Sequence, residues 1–260
     1  MTAAPEVLVV LPTLGDRLDT LRQTLDSVQE QRAEVALTLV VVVPEQATAA
    51  RELAARYDAV IVSDPKTGIS AAINCGIDAR TTEPFYAWIG DDDLFRPHGL
   101  RTLLDLITQT PRAVVAYGGC EYIDAHGEIQ FTSAAGGAAL FLLPWGPDLI
   151  PHPGSMIRID DLDAIGRYDT SLKFALDLDV FLKLRRRGRF VHTRRVVSAF
   201  RWHADSLTVS DRKGSSSEAE AVKRRNLPRA LRPLSPLWNR PVSWAASVAA
   251  RRLSVRSKSA

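Results

Sequence analysis

The chain has 260 residues, 46% of them hydrophobic, so it can bury the core of one large domain or two small ones. The formal net charge of +3 hides an uneven distribution. Residues 1–211 contain 21 basic and 28 acidic residues, whereas residues 212–260 contain 12 basic and two acidic ones. The basic excess therefore belongs to the C-terminal tail, and the charge of the body excludes nucleic acid as its partner.

The cysteines and the apolar segments point to a cytoplasmic body. Cys75 and Cys120 are far apart and form no C-x-x-C pair, which argues against a disulfide framework or a structural zinc site. The residues before Val7 lack the basic region of a signal sequence. The longest apolar stretch, Ala134–Trp145, is interrupted by Pro144 and is shorter than a bilayer span.

Apolar runs and helical periodicities alternate along the first 110 residues. The predicted strands are Val7–Leu11, Leu37–Val43, Ala59–Val62 and Phe85–Ile89. Helices are predicted between them and after the last one, because apolar residues recur three or four positions apart, as at Leu18, Leu21 and Leu25. This alternation indicates an α/β fold with a mostly parallel sheet flanked by helices.

The pattern loosens after residue 110. Further strands are predicted at Val114–Tyr117, Ser155–Ile159, Phe190–Ala199 and Phe200–His203, with a helix at Leu176–Leu184. His152 lies in a Pro-His-Pro-Gly turn. It either lines a binding site or, in the interpretation we favour, is a plain turn residue. The polar run Ser210–Ser217 is predicted to be a linker.

Polar residues follow the predicted parallel strands at the edge where ligands bind in open α/β sheets. They are Thr13, Glu45, Asp64 and the acidic turn Asp91–Asp93. A lone acidic turn is more often simply solvated. Carboxylate oxygens at a strand end, however, are the ligands that Mg²⁺ and Mn²⁺ prefer, and these ions also take phosphate oxygens. The edge is therefore a candidate site for a phosphorylated ligand.

Several motifs in this order resemble the family-2 glycosyltransferases. The segments that carry the resemblance are Val9–Thr13, Lys66–Ile77, Ala87–Phe95, Ile165–Asp169, Ala175–Lys183, Phe200–His203 and Asp205–Thr208. Together they cover roughly residues 5–210. Two positions depart from the family pattern: Gly90 replaces the first Asp of the D-x-D-D turn, and Glu45 stands where the family has an Asp.

The resemblance implies a GT-A fold, Rossmann-like and mostly parallel, in a single domain over residues 1–210. Residues 1–117 would form the half that binds the nucleotide sugar, and residues 118–210 the acceptor half. Residues 211–260 would form a basic tail. The implied function is metal-dependent transfer of a sugar from a nucleotide-diphosphate donor to a hydroxyl of a glycan or lipid-linked acceptor, in cell-envelope glycan or glycolipid synthesis.

Site residues follow from the same resemblance. A divalent ion, Mn²⁺ or Mg²⁺, would be held by at least one of Asp91, Asp92 and Asp93, with His203 as a nitrogen ligand or as an ordinary histidine. Residues that would bind the donor are Thr13, Glu45, Asp64, Gly68, Asn74, Asp91 and Asp92. Asn74 has an equal alternative, which is to tie its helix to the acidic turn.

Asp177 is the candidate catalytic base. An acceptor hydroxyl has a high pKa and needs a carboxylate to take its proton as the new bond forms. At the start of a helix, Asp177 lies at the positive end of the dipole, which favours its ionised form. Asp179 faces away and is interpreted as structural. A single base without a second nucleophilic carboxylate favours an inverting reaction.

The tail allows two interpretations. A basic segment that contains Trp244 suits the anionic face of a membrane, which would place the enzyme at the inner surface as a peripheral protein. A disordered, solvated tail is equally consistent with this composition.

Two other functions remain alternatives. A nucleotidyltransferase would need a glycine-rich phosphate loop with a basic residue after the first strand, and Leu11–Asp16 lacks that richness. A non-catalytic sugar- or membrane-binding homologue would have lost the acidic turn or the base, and both are present.

Overall fold

The first half of the protein is the predicted alternation of strands and helices. The computed structural model describes residues 6–133, 136–202, 212–228 and 232. Its first four strands are β1 (Val7–Pro12), β2 (Leu37–Val43), β3 (Val60–Ser63) and β4 (Phe85–Trp88). The helices of this half are α1 (Leu18–Gln31), α2 (Thr48–Ala55), α3 (Ile69–Asp78) and α4 (Gly99–Gln109). The strands pair in parallel in the order β3-β2-β1-β4.

The central strand β1 explains why the strands appear in the sequence as continuous apolar runs. All six of its residues are buried, because helices cover both faces of the sheet. Val7, Val9 and Leu11 pack on the side of α1 and α4, whereas Leu8 and Val10 pack on the side of α3. Two hydrophobic layers therefore hold the sheet.

The second half completes one nine-stranded sheet. Its strands are β5 (Leu94–Phe95), β6 (Ala113–Ile123), β7 (Ile129–Ser133), β8 (Ser155–Arg158) and β9 (Arg189–Arg201). Its helices are α5 (Gly136–Leu142), α6 (Ile159–Ala164) and α7 (Leu176–Leu184), and a short 3-10 turn spans His152–Gly154. The full order is β3-β2-β1-β4-β8-β6-β9-β5, with β7 paired to β6. β8 is antiparallel to both neighbours, while β6 and β9 run parallel.

Strand β6 is longer than the predicted Val114–Tyr117. The prediction ended there because the two glycines that follow indicate a strand break in the sequence. A Cβ atom at Gly118 would lie 2.6 Å from Cγ2 of Val197, so the close approach of β6 to β9 requires the missing side chain. Beyond the glycines the strand continues to Ile123 and forms a hairpin with β7. The two short closing strands that we predicted are one continuous strand, β9.

The linker prediction for Ser210–Ser217 is wrong over residues 212–217, which lie in helix α8 (Arg212–Asn226). Its serines are poor helix formers, but tertiary contacts override that preference. Val222 and Leu227 are buried against the body. We propose that the domain extends to about residue 228 instead of ending at residue 210.

No helix in the described ranges has the length and apolar character needed to cross a membrane.

Candidate functional site

The acidic turn follows β4 at the open edge of the sheet and is tied to the end of β1. The hydroxyl of Thr13 donates to Oδ2 of Asp91 at 2.5 Å. Nη2 of Arg17, at the start of α1, donates to Oδ1 of the same carboxylate at 2.5 Å. Burial raises the pKa of Asp91 to about 6, although Arg17 and Thr13 act in the opposite direction. Two of the predicted strand ends therefore meet at one carboxylate.

Asp92 is the acidic residue at the rim of the turn. Its side chain is 14% exposed, and its Oδ2 accepts from Nη1 of Arg17 at 2.6 Å. Gly90 lies beneath it: a Cβ atom there would be 3.0 Å from Oδ2 of Asp93 and 3.2 Å from Oδ1 of Asp92. The glycine thus leaves room for both carboxylates where a side chain would crowd them.

Asp93 faces inward and is only 2% exposed. Its Oδ1 accepts the backbone N–H of Arg201 at 2.9 Å, and its backbone carbonyl accepts the hydroxyl of Thr24 at 2.8 Å. Its Oδ2 lies 3.5 Å from Nε2 of His152. Burial raises the pKa of Asp93, while its contact with His152 opposes the shift. Asp93 therefore joins the turn to β9 and to the second half of the domain.

Arg201, the last residue of β9, donates hydrogen bonds to the same turn. Its Nε donates to the carbonyl of Asp92 at 2.9 Å, and its Nη2 donates to Oε1 of Gln23 at 2.8 Å. Nη1 donates to the carbonyl of Asp124 at 3.0 Å. One buried guanidinium thus connects α1, the acidic turn and the β6–β7 hairpin.

His152 lies between two carboxylates. Its Nδ1 is 3.6 Å from Oδ2 of Asp177, and its Nε2 faces Asp93. The ring stacks on Trp88 with a centroid distance of 3.9 Å and an interplanar angle of 7°. Burial lowers the pKa of His152, but Asp93 and Asp177 outweigh burial and leave the pKa above its ordinary value. Far from being a plain turn residue, His152 links the acidic turn to the candidate base.

Asp177 lies in the first turn of α7, as predicted, with its side chain 18% exposed. Nε1 of Trp88 donates to its Oδ1 at 3.1 Å. Burial raises the pKa of this carboxyl, and His152 and Trp88 oppose the shift. The carboxylate is thus oriented by two partners, remains reachable from solvent and has a proton affinity above that of a surface Asp.

Asp179, two residues further on, is fully buried and faces the other way. It pairs with Lys183 at 2.7 Å and with Nη2 of Arg225 in α8 at 2.8 Å. These contacts fit the structural interpretation of Asp179 and separate it from the base.

The N-terminus of α7 is held by Glu218 of α8. Oε1 of Glu218 accepts the backbone N–H groups of Phe174 and Ala175, both at 2.6 Å, and Oε2 accepts that of Lys173 at 3.0 Å. A carboxylate at this end of a helix satisfies N–H groups that have no partner within the helix. The predicted tail thus supports the helix that carries Asp177.

Comparisons with known proteins identify the family of the chain. A family model described as Glycosyl transferase family 2 matches residues 8–163. The chain belongs to this family. The assignment confirms the resemblance seen in the motifs and the predicted enzyme class, a glycosyltransferase. The matched range includes the acidic turn and ends before Asp177. No curated protein matches the chain significantly.

Solved structures share the fold. A fragment of TarS from S. aureus, residues 1–349 in complex with UDP-GlcNAc, is 15% identical with a TM-score of 0.65; the match covers 85% of this chain and 65% of the fragment. The mannosyltransferase PcManGT from Pyrobaculum calidifontis, in complex with GDP-Man and Mn²⁺, is 16% identical with a TM-score of 0.65. That match covers 96% of this chain and 76% of the other. The predicted GT-A fold of this family-2 member is confirmed.

The remaining predicted donor residues lie along the same edge. Asp64 follows β3 and accepts the backbone N–H of Lys66 at 2.8 Å, while Glu45 follows β2 and accepts the hydroxyl of Ser63 at 3.3 Å. Gly68 is exposed, with a φ of 115°, just before α3. Their contact with a donor stays a prediction.

Asn74 does not tie α3 to the acidic turn, so that alternative is wrong. Its Nδ2 donates to the carbonyl of Tyr168 at 2.8 Å, and its Oδ1 accepts the Tyr168 N–H at 3.2 Å. These bonds fix α3 to the loop before α7. His203, the fourth predicted metal ligand, lies outside the described residues.

Two carboxylates of the acidic turn are available to a divalent ion. Within the described ranges, no group of three His, Cys, Asp or Glu side chains could hold a metal ion on its own. Asp91 and Asp92 nevertheless direct one oxygen each to a single cationic group, Arg17. One or two carboxylates suffice for Mg²⁺ when phosphates supply further ligands. Asp93 fits poorly, because its oxygens face Arg201 and His152.

Sequence reasoning did not find Arg17, Trp88 or Arg201, and it undervalued His152. The Trp88 position adjoins the acidic turn in the sequence, so its proximity was available as a signal. The other three act through partners far away in the chain, for example the 108 positions between Arg201 and Asp93.

Proposed function

We propose that the protein is an inverting glycosyltransferase that moves a sugar from a nucleotide-diphosphate donor to a hydroxyl acceptor. One observation carries the proposal: the oriented carboxylate of Asp177 and the acidic turn share one rim and are joined through His152 and Trp88. The two solved relatives hold UDP-GlcNAc and GDP-Man, which supports a nucleotide sugar as the donor. A non-catalytic homologue would not need an oriented, solvent-accessible base.

On the donor side, Thr13, Glu45 and Asp64 offer hydroxyl and carboxylate acceptors for ribose hydroxyls and base N–H groups. Asp91 and Asp92 would hold Mn²⁺ or Mg²⁺ together with the diphosphate, as the Mn²⁺ in the mannosyltransferase complex suggests. When bound, such an ion offsets the negative charge that develops on the leaving diphosphate. Arg17 adds a positive charge at the same place.

On the acceptor side, Asp177 takes the proton of the acceptor hydroxyl as its oxygen attacks the anomeric carbon. The bond from that carbon to the diphosphate oxygen breaks, and the configuration inverts. His152 and Trp88 hold the carboxylate in position. Asp93 is buried behind His152, so the described residues supply no second carboxylate placed to form a covalent intermediate on the sugar.

The setting that we propose is synthesis of a cell-envelope glycan or glycolipid on the cytoplasmic side. The basic tail would provide peripheral contact with an anionic membrane. Most of that tail, including Trp244, lies outside the described residues.

A donor screen tests the proposal. The protein is incubated with UDP-, GDP- and dTDP-sugars and Mn²⁺, and release of the free nucleotide diphosphate is measured with Asp177→Asn as the control. We expect turnover of at least one donor, weaker nucleotide binding in EDTA and inverted product by NMR. A protein that binds and turns over none of these donors, or a product of retained configuration, contradicts the proposal.

A further inference from the structure

Arg17 bridges the two carboxylates that are available to a divalent ion. Its Nη2 contacts Oδ1 of Asp91 at 2.5 Å, and its Nη1 contacts Oδ2 of Asp92 at 2.6 Å. Because both nitrogens belong to one planar guanidinium, the two oxygens face a single positive charge. An ion held by these carboxylates would need the same two oxygens. Arg17 and the ion therefore compete for one place.

Arg17 can leave the acidic turn without a rearrangement of the core. The side chain of Asp91 is 4% exposed and keeps a second hydrogen bond, from the hydroxyl of Thr13. The side chain of Arg17, in contrast, is 43% exposed, and its neighbours Asp16 and Leu18 are exposed as well. The carboxylate is thus fixed, whereas the long side chain that covers it lies at the surface.

Displacement of Arg17 by an ion alone is unfavourable. Two hydrogen bonds between charged groups are lost, and the released guanidinium gains only water in exchange. A nucleotide diphosphate changes this balance, because its oxygens complete the coordination of the ion and also accept the paired N–H groups of a guanidinium. The departure of Arg17 is therefore compensated when the ion and the diphosphate bind together.

We propose that Arg17 is an exchangeable counter-ion of the acidic turn. It neutralises Asp91 and Asp92 before the donor binds, and it moves to the diphosphate when a divalent ion takes the two carboxylates. The inference rests on the proposed function and deepens it, because it assigns the coupling between ion and donor to one residue of the same site. If one displaced residue carries this coupling, its removal weakens the coupling equally from the side of either ligand.

The test measures binding and does not depend on turnover. Binding of Mn²⁺ to the full chain is followed by the EPR signal of the free ion, with and without UDP, GDP or dTDP. Binding of each nucleotide is measured by calorimetry with and without Mn²⁺. Arg17→Ala is compared with Arg22→Ala, which removes the same charge from an exposed position of the same helix. Thermal melting checks that both variants fold, and Arg17→Lys takes the place of Arg17→Ala if the latter does not.

Without nucleotide, we expect Arg17→Ala to bind Mn²⁺ about tenfold more tightly than the parent protein, because no guanidinium has to be displaced. With saturating Mn²⁺, the variant should bind the nucleotide diphosphate about tenfold more weakly, because the released guanidinium is missing. The coupling factor should thus fall about tenfold whichever ligand is titrated. Arg17→Lys keeps the charge without the planar fork and should lie between the two, whereas Arg22→Ala should stay within a few-fold of the parent protein.

Three results overturn the inference. The first is Mn²⁺ binding without nucleotide that is no tighter in Arg17→Ala than in the parent protein, which indicates that Arg17 stays on the turn. The second is an unchanged coupling factor, and the third is an equal change in Arg22→Ala, which indicates a general effect of net charge. Failure of the proposed function looks different, because then no nucleotide diphosphate binds the parent protein with or without Mn²⁺ and no donor is turned over.

Discussion

At the scale of single residues, α7 carries two aspartates with opposite roles two positions apart. Asp177 is oriented by Trp88 and His152 at the open rim, whereas Asp179 is buried against Lys183 and Arg225. Substitution of each by Asn changes little in shape but removes a charge. The two substitutions therefore test the proposed catalytic role of Asp177 and the structural role of Asp179 separately.

Asp177→Asn should lower turnover by roughly 10²–10⁴-fold, because the acceptor hydroxyl loses its proton acceptor. The dissociation constant of the donor should not change. Since burial raises the pKa of Asp177, the ionised carboxylate disfavours the folded state at neutral pH, and the variant should melt no lower than the parent protein. Steady-state kinetics, calorimetric donor binding and thermal melting measure these effects. Near-normal turnover would remove Asp177 as the base.

Asp179→Asn is the matched comparison. The substitution should destabilise the fold by about 1–3 kcal/mol, because Lys183 and Arg225 then face a neutral amide in place of the carboxylate that pairs with them. Both partners are partly exposed, which keeps the cost below that of a fully buried pair. Chemical denaturation measures the change. Turnover per folded molecule should remain within a few-fold of the parent value, and a loss as large as that of Asp177→Asn would contradict the division of roles.

The raised pKa of Asp177 predicts the direction in which kcat/KM changes with pH. A base must be ionised, and burial raises its pKa above the value of about 3.9 of an unperturbed Asp. The value of kcat/KM should therefore fall as the pH decreases, beginning at a pH where a surface Asp is still fully ionised. A profile of log kcat/KM against pH shows this limb. It should be absent from the residual activity of Asp177→Asn; a limb that persists there belongs to another group.

Two aspartates of the acidic turn, Asp92 and Asp93, can be distinguished by substitution in the same way. Asp92→Asn should weaken Mn²⁺-dependent nucleotide binding by about tenfold or more, because the rim loses a charged ligand that the diphosphate cannot replace. Asp93→Asn should leave Mn²⁺-dependent nucleotide binding within a few-fold of the parent value, since its carboxylate is buried against Arg201 and His152. Titration of UDP or GDP with and without Mn²⁺ distinguishes them. Equal loss of metal-dependent nucleotide binding in both variants would indicate that Asp93 is also a metal ligand.

At the scale of elements, α8 supports the helix that carries Asp177, the proposed base. Glu218→Ala leaves three backbone N–H groups at the start of α7 without their carboxylate acceptor, which should cost about 1 kcal/mol of stability. It should also lower kcat more than it raises the KM of the donor, because the first turn of α7 positions Asp177. Arg224→Ala, an exposed change on the same helix, is the control. Identical kinetics in the two variants would limit α8 to a packing role.

At the scale of the whole molecule, charge separates the body from its end. Residues 229–260 contain seven basic and no acidic residues, whereas residues 1–228 contain 26 basic and 30 acidic ones. Each basic residue near an anionic bilayer contributes about 1 kcal/mol. The full chain should therefore bind phosphatidylserine vesicles in a salt-sensitive way, and a chain that ends at residue 228 should not.

The chain is cut at residue 228, and not at 211, because removal of α8 would disturb α7 as well as the tail. Vesicle co-sedimentation at low and high salt measures binding, with phosphatidylcholine vesicles as the control. The shortened chain should keep its donor hydrolysis. Equal binding of both chains to phosphatidylserine vesicles would leave the tail as a solvated extension.

The sequence by itself determined the layout of the first half and the position of the candidate site. Strands that are buried on both faces must be continuously apolar, and helices that cover them must repeat every three or four residues, so both are visible locally. Parallel strands also place their ends at one edge, which brought Thr13 and the acidic turn together before any contact was known. Asp177 was marked by its place at a helix start within a recognisable motif.

Only the tertiary structure decided which partners each residue at that edge contacts. Three neighbouring aspartates look alike in the sequence, but Arg17 meets the first two and Arg201 and His152 meet the third. The same holds for α8. Its serines predict a linker, whereas in the structure Glu218 accepts the backbone N–H groups of Phe174 and Ala175 just before α7. These roles depend on partners that are distant in the chain. The burial and pairing of a charge depend on which distant segments the fold brings next to it, and no local sequence pattern records those contacts.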